Sequence, residues 1–245
     1  TAVGKTAVAI ELAELVGGEI VSADSMAVYM GMDIGTAKPT PGEQARAGFH
    51  LIDVADPAKP FSVGEFQRLA QESIDDILQR NPPPIVVGGS GLYVRAAIDG
   101  LDSSIPAENE DLRNALRDEV RLHGSEYVHR KLAAVDPESA AKIHPNNLKR
   151  VIRALEIYES TGEKPSALFD RDARRAPRYP SARFFGLTMN RFALYARIEQ
   201  RVDAMIEAGL VEEVARLTER IADPTIPSMQ GLGYKEIAGY LRGDY

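Results

Sequence analysis

The chain has 245 residues, 44% of them apolar and 27% charged, and a net charge of −7. This length supports one large domain, or a domain with an insertion, around a real core. With no cysteine, disulfide and thiolate chemistry are excluded and a reducing compartment is expected, while the lack of any run of eighteen apolar residues argues against a membrane-spanning helix.

After Gly4-Lys5-Thr6, apolar residues recur at Val8, Leu12 and Leu15, the spacing of a helix that Gly17-Gly18 would stop. GEIVSADS then reads as a short buried strand ending at Ser22–Asp24. FSVGEFQRLAQESIDDILQR (61–80) is an amphipathic helix with Phe66, Leu69, Ile74, Ile77 and Leu78 near one stripe. NPPPIVVGGSGLY follows as an apolar strand, a glycine turn and a helix. Strand, turn and helix in repetition predict a parallel sheet covered by helices.

From about Ser104 to Pro165 only helical segments are legible: ENEDLRNALRDEVRLHG, SEYVHRKLAAV, PESAAKI and NNLKRVIRALEIYESTG. They predict an all-helical insertion over 104–165, set into a core made of 1–103 and 166–245. ARFFGLTMN (182–190) is strand-like and is expected to return to the sheet. RFALYARIEQRVDAMIEAGLVEEVARLTERI (191–221) is helical with a break at Gly209. The negative net charge argues against a uniformly basic nucleic-acid binder. Positive charge is nevertheless local: 171–183 carries five arginines against one aspartate, and Lys149, Arg150 and Arg153 share one predicted helix. Such runs form either a binding surface or an ordinary solvated face.

The chemistry starts at the first residues. Gly4, Lys5 and Thr6 fill the last three places of the phosphate-loop pattern G-x-x-x-x-G-K-[ST], whose first glycine would precede Thr1. Backbone N–H groups at a helix start wrap anionic oxygens. Lys5 adds a point charge, and the Thr6 hydroxyl suits Mg²⁺. Asp24 follows the buried strand, where parallel sheets place their ligands. It can hold a metal, accept a proton or cap the following turn. The strand before VVGGSGLY ends in glycines and Ser90 rather than in an acid. Asp24 is therefore the candidate for the one essential acid, an arrangement that fits a transfer in which diphosphate leaves.

The stretches TAVGKT (1–6), SADSMAVY (22–29), GMDIGTAKP (31–39), VGGSGLY (87–93), IHPNNLKRVIRALE (143–156), RIEQRVDAMIEAGLVEEV (197–214) and QGLGYKE (230–236) resemble the tRNA dimethylallyltransferases (tRNA isopentenyltransferases) of bacterial type. They run through nearly the whole chain in that family's order. The resemblance implies a P-loop NTPase-like α/β fold with a helical insertion that contacts tRNA. It implies transfer of a dimethylallyl group from dimethylallyl diphosphate to N6 of the adenosine 3′-adjacent to the anticodon, with Mg²⁺ as cofactor. Asp24 matches the general base, and Lys5, Thr6 and Arg201 match groups that hold the diphosphate, with Thr6 also at the metal. Thr1, Ala2, Val3, Gly4 and Ser90 complete that diphosphate-binding set. The tRNA-contacting stretches would be Asp24, Ser25, Met26 and Ala27 with Ser90; Arg113; Lys149, Arg150, Val151, Ile152 and Arg153; and Gln230, Gly231, Leu232, Gly233, Tyr234 and Lys235. A monomer working in the cytoplasm, without membrane contact, is expected. The family continues beyond LRGDY into further helices. Two alternatives use the same loop: an isopentenyltransferase acting on free adenine nucleotides, and a small-molecule kinase with RDARRAPR as its lid.

Overall fold

The computed structural model describes residues 2–101, 106 and 108–244. They form two compact units, one from residues 1–100 and 178–245, the other from 101–177.

The first unit is built on a parallel sheet of order β2-β1-β3. Strand β1 (Glu19–Ser22) lies between β2 (Phe49–His50) and β3 (Pro84–Val87), with Ile20 opposite both Phe49 and Ile85. Helix α1 (Lys5–Val16) turns Ala9, Ile10 and Ala13 into the core, and the helix stops at Gly17 as its sequence predicts. Helix α2 (Pro41–Arg46) begins with a reciprocal box in which Thr40 and Glu43 cap each other's N–H groups. Helix α3 (Val63–Arg80) opens with the same device, Ser62 and Glu65. It buries Phe66, Ala70, Ile74 and Ile77. Leu78, expected on that stripe, is exposed because it lies one residue past the buried position. Helix α4 (Gly91–Ile98) follows β3 and stacks the Tyr93 ring 4.2 Å from that of Phe66. At the strand base Glu19 takes Arg80 and His50 as partners. The Arg80 guanidinium is the main cause that holds its carboxyl down to about 2, with His50 assisting against partial burial.

The expected strand over 182–190 does not form. These residues run without regular structure, and Phe184, Phe185 and Leu187 are exposed. An alternating apolar sequence becomes a strand only by pairing its backbone, and no described strand lies against it. The helical stretch beyond it breaks where expected. Helix α10 (Arg191–Glu207) and helix α11 (Leu210–Arg220) are separated by Gly209 at φ 96°, a conformation that other residues adopt only with strain. A 3₁₀ turn (Pro227–Gln230) and helix α12 (Tyr234–Arg242) end the unit.

The second unit is all helical: α5 (Glu110–His123), α6 (Ser125–Val135), α7 (Pro137–Lys142), α8 (Leu148–Thr161) and α9 (Pro165–Ala173). Leu116, Val128, Leu132, Val151, Ile152 and Leu155 make its core. The compact unit runs twelve residues past the predicted end at 165, because α9 packs on α7 and α8.

Asp136 explains how α9 is held. Its carboxylate accepts from the N–H and hydroxyl of Ser139, capping α7, and from the N–H and hydroxyl of Ser166 in the first turn of α9. Burial alone would raise this carboxyl, but the Ser139 and Ser166 donors hold it below the usual range. A lowered native value means the stabilisation is present above about pH 4 and is lost as pH falls through that native value. Asp136→Asn is expected to cost about 2 kcal/mol or more at pH 7. Denaturant unfolding followed by circular dichroism should show the deficit, and the gap to wild type should narrow as the buffer is taken below pH 4.

Candidate active site

The C-terminal ends of β1 and β3 and the start of α1 open on one cleft of about 760 Å³ within the first unit. Gly4, Lys5 and Thr6 line it at the start of α1. Gly4 is in a left-handed conformation and no side chain caps the helix, so its first N–H groups are free to meet an anion. Thr1, expected in the same loop, lies outside the described residues. Ala2 lines the cleft with φ 58°, while Val3 is half-buried beside it.

Of the glycines after β3, Gly88 has a clear steric reason. A Cβ on Gly88 would sit 2.0 Å from the Ala23 carbonyl oxygen, and one on Gly89 would lie 3.6 Å from Lys5 Nζ. At Gly88 the strand end therefore presses on the backbone just before Asp24, whereas a side chain at Gly89 would meet Lys5 only at ordinary contact distance. The neighbours of both glycines are protein groups. The Ser90 hydroxyl donates to the Ser25 hydroxyl at 3.1 Å and does not line the cleft.

Asp24 fills one of the roles open to it, the cap. Its Oδ1 accepts from the N–H groups of Met26 and Ala27, at 2.9 and 3.3 Å, so it caps the turn. It also lines the cleft, and among the described residues Oδ2 has no hydrogen-bond donor.

Helix α10 supplies a mixed wall. None of its residues is buried, although it carries Ile198, Val202, Met205 and Ile206. These apolar side chains line the cleft together with Arg197 and Arg201. An apolar helix stripe left uncovered beside cations suits a ligand with an anionic head and a hydrocarbon part.

GMDIGTAKP forms a locked loop. The Lys38 side chain is 4% exposed; its ammonium donates to the Tyr29 carbonyl and to Asp33 and Asp53. Thr36 donates to the Met32 carbonyl at 2.6 Å. Gly35, Thr36 and Ala37 then face the cleft. Neither Lys38 nor the buried Glu213 that holds this loop was apparent from charge alone. The available signal was Glu213 falling on the apolar stripe Leu210, Val214, Leu217 of α11.

The stretches expected at RNA divide by burial. In QGLGYK, Gln230, Leu232 and Lys235 are exposed, Gly233 is half-buried, and Gly231 and Tyr234 are buried. The Tyr234 side chain is packed into the fold, and its hydroxyl donates to Glu213. A Cβ on Gly231 would lie 2.4 Å from the Met26 methyl, so these two predicted contacts pack on each other. In the helical unit, Lys149 and Arg150 are exposed, whereas Val151 and Ile152 belong to the core and are corrected to structural residues. Arg113 and Arg153 are half-buried and paired within the unit. Both bind the fully buried Glu156, Arg113 also pairs with Glu108, and Arg153 donates to the Pro106 carbonyl. Burial would raise the Glu156 carboxyl, but the Asn109 N–H and the two guanidiniums hold it below its usual range.

An uncapped helix start, an acid at the next strand end and an apolar wall meet in one α/β transferase cleft. The IPP transferase family profile matches residues 27–245. The tRNA dimethylallyltransferase of Alkaliphilus oremlandii is 50% identical over the whole chain, which spans 78% of that protein, and that of Desulforudis audaxviator is 51% identical, with 77% of it spanned. Among solved structures, the full-length tRNA isopentenylpyrophosphate transferase of Bacillus halodurans aligns with TM-score 0.69 at 45% identity, covering all of this chain and 76% of that one. A eukaryotic dimethylallyltransferase acting on tRNA aligns with TM-score 0.81 at 30% identity, covering all of this chain and 62% of the other. The chain belongs to the IPP transferase family.

Proposed function

We propose that the protein transfers a dimethylallyl group from dimethylallyl diphosphate to N6 of the adenosine 3′-adjacent to the anticodon in tRNA and releases diphosphate. The observation that carries this reading is one cleft holding Lys5, Thr6, Asp24, Arg201 and the apolar stripe of α10. The α1 N–H groups, Lys5 and Arg201 bind the diphosphate and stabilise the charge that builds as the C1–O bond breaks. The C1–N6 bond forms, and the N6 proton passes to Asp24 Oδ2, since an aromatic amine is a poor nucleophile until its proton has an acceptor. Ile198, Val202 and Met205 take the hydrocarbon part and exclude water. The adenine must leave its stack to enter such a cleft.

Mg²⁺ fits the donor set. Among the described residues no group of three acidic or histidine ligands exists, which suits an ion held by one hydroxyl and by substrate phosphates rather than by a protein cage. Thr6 Oγ1 would be its protein ligand, and the ion would neutralise the leaving diphosphate. No helix among the described residues is long and apolar enough to cross a membrane. A cytoplasmic monomer belongs to the same proposal.

The reading is tested with purified protein, labelled dimethylallyl diphosphate and Mg²⁺, offered total tRNA and AMP in parallel. Label in tRNA alone is the expected result. Label in AMP would make the protein a free-nucleotide isopentenyltransferase, and label in neither would reject prenyl transfer.

Burial also separates the basic residues of α8. Arg150→Ala is expected to weaken tRNA binding and to lower the slope of log affinity against log salt by about one contact. Arg153→Ala instead takes a partner from buried Glu156 and is expected to destabilise the helical unit by about 3 kcal/mol. Filter binding across a salt series and thermal melting distinguish the two. A reduced salt slope in Arg153→Ala alone would reverse the assignment.

A further inference from the structure

Glu213 is a buried carboxylate, 2% exposed, with no part in the steps above. It sits on the stripe by which α11 packs, beside Leu210, Val214 and Leu217. Its Oε2 accepts from the N–H groups of Asp33 and Ile34 at 3.0 and 2.9 Å. Its Oε1 accepts from the Gly35 N–H at 3.2 Å and from the Tyr234 hydroxyl at 2.5 Å. One side chain on α11 thus ties together the 33–35 turn and the start of α12. The closeness is enforced: a Cβ on Gly35 would lie 2.5 Å from the Tyr234 ring. Three successive N–H groups converging on a carboxylate form an anion nest, here filled by the protein itself.

What the tie holds is part of the cleft wall. Gly35, Thr36, Ala37, Gly233 and Tyr234 all line the cleft that contains Asp24. A buried carboxylate costs desolvation, which here is offset by its four donors, three of them from the 33–35 turn of the cleft wall. We propose that Glu213 is a positioning residue of the transfer reaction: by fixing the 33–37 loop against Tyr234 it sets the wall along which the acceptor base lies against Asp24. This role rests on the transfer activity proposed above. The diphosphate is held by Lys5, Thr6 and the α1 N–H groups, none of which touches Glu213, so the two substrates should respond differently.

Glu213→Gln keeps the shape but must turn an NH₂ toward backbone donors, leaving at least one N–H without an acceptor. Tyr234→Phe removes a single hydroxyl from the same tie. Amide hydrogen exchange is measured on the wild type and both variants. Transfer kinetics with dimethylallyl diphosphate and tRNA follow, well below the lowest melting temperature. In Glu213→Gln, exchange over residues 33–36 should quicken while β1 and β3 keep their protection. Its kcat should fall about 10²-fold, the scale of a misplacement of about 1 Å, with KM for dimethylallyl diphosphate within about threefold of wild type. Tyr234→Phe should move the same readouts less. A lowered melting temperature with unchanged kcat, or loss of protection spread over the whole sheet, would reduce Glu213 to a stability element. If Glu213→Gln does not fold, Tyr234→Phe decides, and wild-type exchange and kcat in it overturn the proposal. A wild type that transfers nothing overturns the reaction, and Glu213's role with it, whereas an active wild type beside a kinetically normal Glu213→Gln overturns Glu213's role alone.

Discussion

Asp24→Asn is expected to lose about 10²- to 10⁴-fold in kcat, the range supplied by a positioned general base. Asparagine is the informative replacement because of what Oδ1 does. That oxygen caps Met26 and Ala27, and an amide oxygen can keep both bonds. The variant therefore retains the turn and loses only the ability to take a proton at the other oxygen. Asp24→Ala removes both functions and would also loosen the 24–27 turn, so its kinetic loss would not isolate the base. Equilibrium binding of tRNA to Asp24→Asn should stay within about threefold of wild type, since charge at one cleft residue adds little beside many phosphate contacts. Single-turnover transfer measured beside tRNA binding checks both halves. Normal turnover in Asp24→Asn would remove Asp24 as the proton acceptor.

The second large effect is expected for Lys5→Ala, about 10²- to 10³-fold in kcat/KM for dimethylallyl diphosphate, the scale of removing one preorganised group that stabilises developing charge. The Lys5 ammonium reaches across the end of β3, beside the position where Gly89 lacks a side chain. Nothing about the α1 core depends on it: Ala9, Ile10 and Ala13 carry that packing. The melting temperature should therefore move little, and KM for tRNA should be nearly unchanged. Kinetics with each substrate varied separately make the check. Equal losses for both substrates, or none, would show that Lys5 does not act on the diphosphate.

Much of this site can be read without coordinates because its signals are local. A helix start at Gly4-Lys5-Thr6 and an acid at the end of a short apolar strand are patterns within a few residues, and the fold brings Lys5, Thr6 and Asp24 to one cleft. The break at Gly209 is local too, a matter of one backbone conformation. Basic residues on α8 were harder. Lys149, Arg150 and Arg153 look alike in sequence, yet Arg153 is occupied by Glu156 while Lys149 and Arg150 face solvent. The segment 182–190 failed for a related reason. Its alternation describes a strand, but pairing is a property of two segments and cannot be read from one.

By itself, then, the amino-acid order determined the elements whose cause lies within a turn or two of chain: the phosphate-binding helix start, the strand-end acid, the capped helices and the helical character of the insertion. Tertiary structure decided which charges are free and which are spent. Lys38 reaches partners up to 15 residues away, Glu156 up to 47 and Glu213 up to 180. A charge is driven into such a place only when several donors or acceptors converge on it. That convergence is set by how helices and loops pack, so it appears only once the chain is folded.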